Sequence, residues 1–224
     1  MNEPGMVHRR SMLKTVAAIG VVSALPEVTR ALAQTPLRRT PDQILGPFYP
    51  LGKTPDPGGD LTHLPGKPGR ATGQILNVMG RVLNVKGEPV RRARLEIWQA
   101  NAAGRYTHPA DTNPAPLDLN FEGFAVLTTD AEGRYHFKTV QPGAYPAAPG
   151  LIRPPHIHFD VRGEADVLIT QMYFAGEPEN DKDWFLQSLP APAQRRLTVE
   201  LLPPPQELEA ESKLAVFDIV LNRG

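Results

Sequence analysis

The chain has no cysteine among its 224 residues. This excludes disulfides, thiolate-bound zinc, iron–sulfur clusters and a thiol nucleophile. It has no excess of either charge, since 24 basic residues face 24 acidic ones. No basic stripe is left to neutralise phosphates, so nucleic acid is not an expected partner. The apolar run at residues 15–25 falls well short of the ~20 residues that span a bilayer. Proline, by contrast, is abundant: 25 prolines accompany 19 glycines. That share is still below the level of a disordered low-complexity chain, and 41% hydrophobic residues suffice for one sizeable core. Any bound metal must be held by His, Tyr, Asp or Glu.

Residues 1–33 read as a targeting segment. Arg9-Arg10 is followed by Leu13-Lys14 and the apolar run, and Ala31-Leu32-Ala33 offers a small-x-small cleavage site. These elements, in this order, resemble a twin-arginine (Tat) signal peptide, the route for cargo exported already folded. The expectation is a periplasmic or otherwise exported protein with no permanent membrane span. Without the segment, which carries four basic and two acidic residues, 20 basic and 22 acidic residues remain, a net charge of −2.

Residues 34–74 form a Pro/Gly-rich stretch in which a helix is excluded, because proline removes donors and bars the preceding residue from helical geometry. It is either a flexible linker or, given the apolar island Ile44-Leu45-Gly46-Pro47-Phe48-Tyr49, an N-terminal arm lying against the body. In the domain at 75–224, strand-like segments recur at 76–85, 93–99, 124–129, 135–140, 156–161, 167–174, 197–201 and 214–221. Turns such as Lys86-Gly87-Glu88-Pro89 and Asp130-Ala131-Glu132-Gly133 separate them. The pattern predicts a mainly β fold, an antiparallel β-sandwich with long loops. One short helix is expected, at 179–189 after Pro178.

The chemistry-bearing residues are six histidines and five tyrosines. On a strand, His156, His158 and Asp160 share one face, while Ile157, Phe159 and Val161 point the other way, into the sandwich. Two imidazoles one pleat repeat apart suit a shared metal, and equally suit an exposed or hydrogen-bonded pair. Tyr145-Pro146 and Arg153-Pro154-Pro155 lead into this strand through what reads as a stiff loop, which would present side chains reproducibly. Tyr135 and Trp98 read as core, and His108 as surface or supporting.

The run from 78 to 106, V-M-G-R-V-LNVK-G-EP-V-RRAR-L-E-I-WQANAA-G-R-Y, resembles the signature of the intradiol ring-cleavage dioxygenases. So do Gly143-Ala144-Tyr145-Pro146, Arg153-Pro154-Pro155-His156-Ile157-His158-Phe159 and Thr170-Gln171-Met172-Tyr173-Phe174. The similarity covers roughly 44–221, and the protocatechuate branch looks nearer than the catechol branch. The resemblance implies a mononuclear Fe(3+) held by Tyr106, Tyr145, His156 and His158, with Tyr106 and His156 equatorial and Tyr145 and His158 axial. It implies ring cleavage of a catechol-type substrate by O2 to a cis,cis-muconate-type dicarboxylate. Tyr145 would act as ligand and base, Arg153 would stabilise developing negative charge, and Gln171 would add a polar contact beside the iron. Gly46-Pro47-Phe48 resembles a segment bordering the substrate cleft. Ala147-Ala148-Pro149-Gly150-Leu151-Ile152 departs from the family in being small and apolar, which points to plain, alkylated or larger catechols. One chain retains all four ligands, so a homo-oligomer is expected.

Two other readings compete. Gly87–Ala93 and Thr129–Tyr135 also resemble non-catalytic β-sandwich binding modules, which need none of the four ligands. A cupin-like Fe(II) or Mn(II) site would use His156, His158 and an acid such as Glu164.

Overall fold

The computed structural model describes residues 36–52, 58–148 and 150–223, so the expected signal peptide lies outside the described residues. Residues 34–224 form one compact unit.

Apolar alternation along the strands produces two facing sheets. In the first, β1 (Ile75–Asn84) pairs antiparallel with β4 (Arg134–Val140) and in parallel with both β10 (Lys213–Val216) and β11 (Ile219–Leu221). The second has the order β3 (Phe124–Thr128), β2 (Arg94–Trp98), β7 (His156–Arg162), β8 (Val167–Phe174), β9 (Thr198–Val199). Leu76, Val78, Val82, Tyr135 and Phe137 from the first sheet meet Leu95, Ile97, Ile157, Phe159 and Val161 from the second, all buried. The Phe159 ring lies 5.3 Å from Phe217 and 6.1 Å from Phe137, centroid to centroid. Burial of each such side chain contributes roughly 1.5–3 kcal/mol, which makes this layer the main source of stability.

The mainly β expectation holds, with three differences in detail. First, the sandwich is not wholly antiparallel, because β10, β11 and β9 each add to their neighbours in parallel. The strand expected at 214–221 is interrupted where Phe217 turns into the core, its N–H donating to Met79, while Asp218 accepts the Arg81 N–H at 2.8 Å. The strand expected at 197–201 is reduced to β9.

Second, the helix expected at 179–189 is broken at Asp183, whose backbone is extended (φ −73°, ψ 108°). A 3-10 turn, Pro178–Lys182, precedes it, and α1 (Trp184–Gln187) follows, with the Asp183 carboxylate capping the Leu186 N–H. A further helix, α2 (Ala191–Leu197), opens with Pro192 in its first turn. Pro190-Ala191-Pro192 reads as a breaker, yet proline is tolerated there because the first N–H groups have no helical partner.

Third, the expected loop between Tyr145 and His156 contains a short hairpin, β5 (Tyr145–Ala148) and β6 (Leu151–Arg153), which sets Tyr145 opposite Arg153.

Residues 37–43 of the N-terminal stretch lie along the body. Their backbone donates from Leu37 to Val85, from Thr40 to Val220 and from Gln43 to Ile169, at 2.8–2.9 Å. Arg39 adds bonds to Asp166 and to the Val167 carbonyl. Among the described residues, no helix is long and apolar enough to cross a membrane.

Candidate metal centre

The strand geometry of β7 places Ile157, Phe159 and Val161 in the core and turns His156 and His158 to the opposite, outer face of the sheet. Both imidazoles are nonetheless buried, each 2% exposed. Their Nε2 atoms lie 3.1 Å apart. The Nδ1 of His156 sits 2.7 Å from the Pro154 carbonyl. A carbonyl only accepts, so Nδ1 carries the proton and leaves Nε2 with a free lone pair aimed at its neighbour.

Tyr106 arrives from a hooked loop after β2. Asn101 Oδ1 accepts the N–H groups of Ala103 and Arg105, both at 2.9 Å, and its amide donates to the Pro116 carbonyl. Gly104 has φ +77°, and a Cβ there would stand 2.1 Å from the Ala144 carbonyl oxygen, so only glycine fits. Asp111 accepts the Tyr106 N–H at 2.7 Å. The hook thereby brings the Tyr106 ring edge-on to Tyr145 at the start of β5, with centroids 5.2 Å apart. Tyr145 to His156 is 5.6 Å, His156 to His158 4.7 Å, and Tyr106 to His158 6.4 Å. The four expected ligands therefore converge on one point.

Arg153, opposite Tyr145, is 2% exposed. Its Nε donates to Asp183 at 2.5 Å, and its Nη2 donates to Gln171 Oε1 at 2.7 Å and lies 3.0 Å from the Tyr173 hydroxyl. Phe185 covers it at 4.7 Å. Gln171 is committed at both ends, for its Nε2 donates to the Ile44 carbonyl at 2.8 Å.

Electrostatics favour uncharged donors in the cluster. Burial first, then the Arg153 cation, pushes His158 down to about 3. The same causes, joined by His158, hold His156 well below the usual imidazole value. Burial raises Tyr106 and Tyr145, most strongly Tyr106, while Arg153 opposes the rise in both.

The residues fit a metal. Two nitrogens bonded at about 2.1 Å and about 90° around one cation stand roughly 3 Å apart, which matches the Nε2 pair. The Tyr106 hydroxyl is buried with no hydrogen-bond partner, a costly state for a phenol that a cation would relieve by ionising it. Among the described residues no three His, Asp or Glu side chains gather as a metal cluster, so the site depends on its tyrosines. A donor set of two phenols and two imidazoles suits a hard, high-valent cation.

Aromatic side chains close the centre. Trp98 stacks on His158 at 4.7 Å and 9°, and Phe48 from the arm lies 4.7 Å from Tyr106 and 5.9 Å from Tyr145. Trp98, Tyr106, Tyr145 and Phe124 form a second apolar cluster, separate from the main core. A cavity of about 330 Å³ is walled by Phe48, Trp98, Tyr106, Phe121 and Phe124. Trp98 is buried, as expected, in this second cluster, and it also lines the cavity. The other described histidines lie elsewhere: His136, on β4, bonds Asn77 on β1, His63 lies beside Asp60 and Thr62, and His108 packs against Phe48 without joining the converging nitrogens. Tyr135 is core, its hydroxyl donating to the Phe217 carbonyl. Glu164 is exposed in the β7–β8 turn, at the end of β7 remote from the histidines, and the cupin-like arrangement fails on that ground. Asp183 escapes sequence reading because it acts through Arg153, 30 positions away, and Asp111 because its bond to the Tyr106 N–H belongs to an irregular loop. Their only local signals are an Asx turn and a helix cap.

Comparison with known proteins places this architecture. The sequence matches the family described as "Dioxygenase" over residues 44–223. It is 46% identical over 167 residues to the protocatechuate 3,4-dioxygenase β chain of Burkholderia cepacia, covering 73% of this chain and 71% of that one. With catechol 1,2-dioxygenase of Candida albicans it shares 32% identity over 179 residues, covering 74% of this chain and 56% of the relative. The chain thus spans about half the length of that relative. Among solved structures, the dioxygenase domain of a dioxygenase–carbohydrate-binding fusion from Streptomyces sp. SirexAA-E superposes with a TM-score of 0.62. The identity is 26%, over 84% of this chain and 100% of that domain. The chain belongs to the intradiol ring-cleavage dioxygenase family, a family of oxidoreductases.

Proposed function

We propose that the protein is an exported ferric intradiol dioxygenase that cleaves a catechol-type ring with O2 to a cis,cis-muconate-type dicarboxylate. Tyr106, Tyr145, His156 and His158 hold the iron in this reading. The observation that carries it is the buried meeting point of two imidazole Nε2 atoms, 3.1 Å apart and bonded only to each other, beside the buried Tyr106 hydroxyl. When bound there, Fe(III) supplies a hard Lewis acid for both oxygens of a catechol.

The chain's own groups do the rest. Tyr145 Oη, which burial keeps neutral against the opposing pull of Arg153 and which a bound cation would ionise, would accept a catechol proton as general base. Arg153, fixed by Asp183 and Gln171, keeps a positive charge beside the negative charge that develops on the ring. Phe48 and Trp98 exclude bulk water, which strengthens both effects. The relatives' names specify protocatechuate, catechol and hydroxyquinol, and all of these carry adjacent hydroxyls. Hairpin residues Ala147, Ala148 and Ile152 present a small, apolar surface to solvent beside Tyr145, which supports plain, alkylated or larger catechols as substrates. Export rests on the twin-arginine segment, and a homo-oligomer on the presence of all four ligands in one chain.

Iron reconstitution tests the reading. The loaded protein should show visible phenolate-to-iron absorption and consume O2 with a catechol. A colourless loaded protein overturns it. Rates across catechol, alkylcatechols, protocatechuate and hydroxyquinol test the substrate class, and a clear preference for protocatechuate overturns the apolar assignment.

A further inference from the structure

We infer that Gln171 is a positioning residue that clips the N-terminal arm onto the metal centre, and that the arm in turn holds the His158 ring in place. The inference rests on the ligand assignment proposed above.

Both ends of Gln171 are occupied within the protein, leaving its amide little capacity for a substrate. Its Oε1 takes Arg153 Nη2 at 2.7 Å and the Tyr173 hydroxyl at 2.8 Å, while its Nε2 donates to the Ile44 carbonyl at 2.8 Å. The side chain is fully buried, so these bonds have no water to replace them, and losing one leaves an orphaned polar group. Tyr173 links the clip to the preceding arm residue, its hydroxyl lying 2.9 Å from Gln43 Oε1, so that its single proton is shared between Gln43 and Gln171. The backbone of Gln43 adds its own bond to Ile169.

What the clip seats is Gly46. Its φ is +77°, and a Cβ built there would stand 3.2 Å from His158 Cε1. The arm backbone is therefore pressed against the imidazole, whose ring is also stacked on Trp98. Arm and indole together fix the ring: its Nδ1 makes no hydrogen bond of good geometry, and the arm group that faces it is the backbone of Ile44, the residue the clip holds. His156 differs, being fixed by the Pro154 carbonyl. A metal ligand usually has a hydrogen bond on its second nitrogen to hold its orientation. Here the seated arm, through the backbone of Ile44 and the close approach of Gly46, takes that part for His158.

The test separates the clip from substrate contact. Gln171→Glu keeps acceptors for Arg153 and Tyr173 but removes the donor to Ile44. Gly46→Ala disturbs the same seat from the arm side and leaves Gln171 intact. In the metal-free full chain, hydrogen exchange of the 40–49 segment should quicken by about tenfold in Gln171→Glu, as expected for one buried hydrogen bond. Both variants should bind ferric iron at least about tenfold more weakly, in the range seen when the groups orienting a ligand are lost. Unchanged arm exchange in Gln171→Glu overturns the inference, whatever happens to turnover. So does iron affinity within twofold of the parent in both variants. Arm exchange in the apoprotein reads independently of dioxygenase activity, so a failure of the clip and a failure of the proposed activity are distinguishable.

Discussion

The two faces of strands β2, β7 and β8 are made from alternate residues of the same segments, and both are buried, for different reasons. The inner face carries Leu95, Ile97, Ile157, Phe159, Val161, Leu168 and Met172 and is covered by the opposing sheet. The outer face carries Glu96, Trp98, His156, His158, Asp160 and Gln171, all at most 2% exposed, and is met by the β5–β6 hairpin, through Tyr145 and Arg153, rather than by a large facing sheet. The arm cross-links to it, with the Tyr49 hydroxyl donating to Glu96 and the Gln171 amide to Ile44. The inner face shows how a fold is stabilised by non-directional packing, where neighbours share the load. The outer face shows polar groups sealed from water by a strap, where each bond has one partner and errors are local.

Substitutions sharpen that contrast. On the proposed ligand assignment, Tyr106→Phe should lower kcat/KM at least about 1000-fold, because a ligand and its charge would be lost. The stability of the metal-free protein should stay within about 1 kcal/mol, since the hydroxyl removed has no hydrogen-bond partner. Urea unfolding of the apoprotein alongside turnover measures both, and a large stability loss would break the contrast. Phe159→Ala, one residue from His158 but on the inner face, should do the reverse. About 3–5 kcal/mol of stability should go, while the fraction that remains folded retains the iron absorption.

Acid should weaken the outer face of the apoprotein before the inner one. His156 and His158 stay neutral in the fold because burial and Arg153 hold them down, His158 to about 3. In the unfolded chain they take up protons near the ordinary imidazole value of about 6.5. The stabilisation is therefore complete above that value and is lost as pH falls from there toward the folded value. The slope is about 1.4 kcal/mol per pH unit for each histidine. Apoprotein melts between pH 7 and 5 check the sign, and a flat profile would contradict it.

The smallest effect belongs to the arm's outer end. Arg39→Ala removes the contacts to Asp166 and Val167 and should cost no more than about 1 kcal/mol, as expected for a partly exposed pair. Burial pushes the Asp166 carboxyl up, but the Asn222 N–H and Arg39 outweigh it and hold the carboxyl below its ordinary value. This contribution is present above about pH 3.9 and disappears as pH falls through the lower folded value. Melts of the parent and variant at pH 7 and pH 3 should converge at the acid end.

Much of this was legible along the chain. Alternation in β2 and β7 assigned Leu95, Ile97, Ile157, Phe159 and Val161 to the core, and the motif residues named Tyr106, Tyr145, His156 and His158. The helix expected at 179–189 was not continuous, because Asp183 is drawn away to cap α1 and pair with Arg153. Arg153 and Gln171 were named, but their bonding to each other across 18 residues was not visible.

The sequence by itself determined the donor chemistry and the strand pattern. Lacking cysteine, the chain has only oxygen and nitrogen side-chain donors suited to a metal, and period-two alternation sorts each strand into two faces whatever its surroundings. The tertiary structure alone decided which polar face is sealed, and by what. Bonds such as Gln43 to Ile169 and Gln171 to Ile44 join residues more than a hundred positions apart. No local pattern encodes them, because they exist only once the sandwich has formed the surface on which the arm lies.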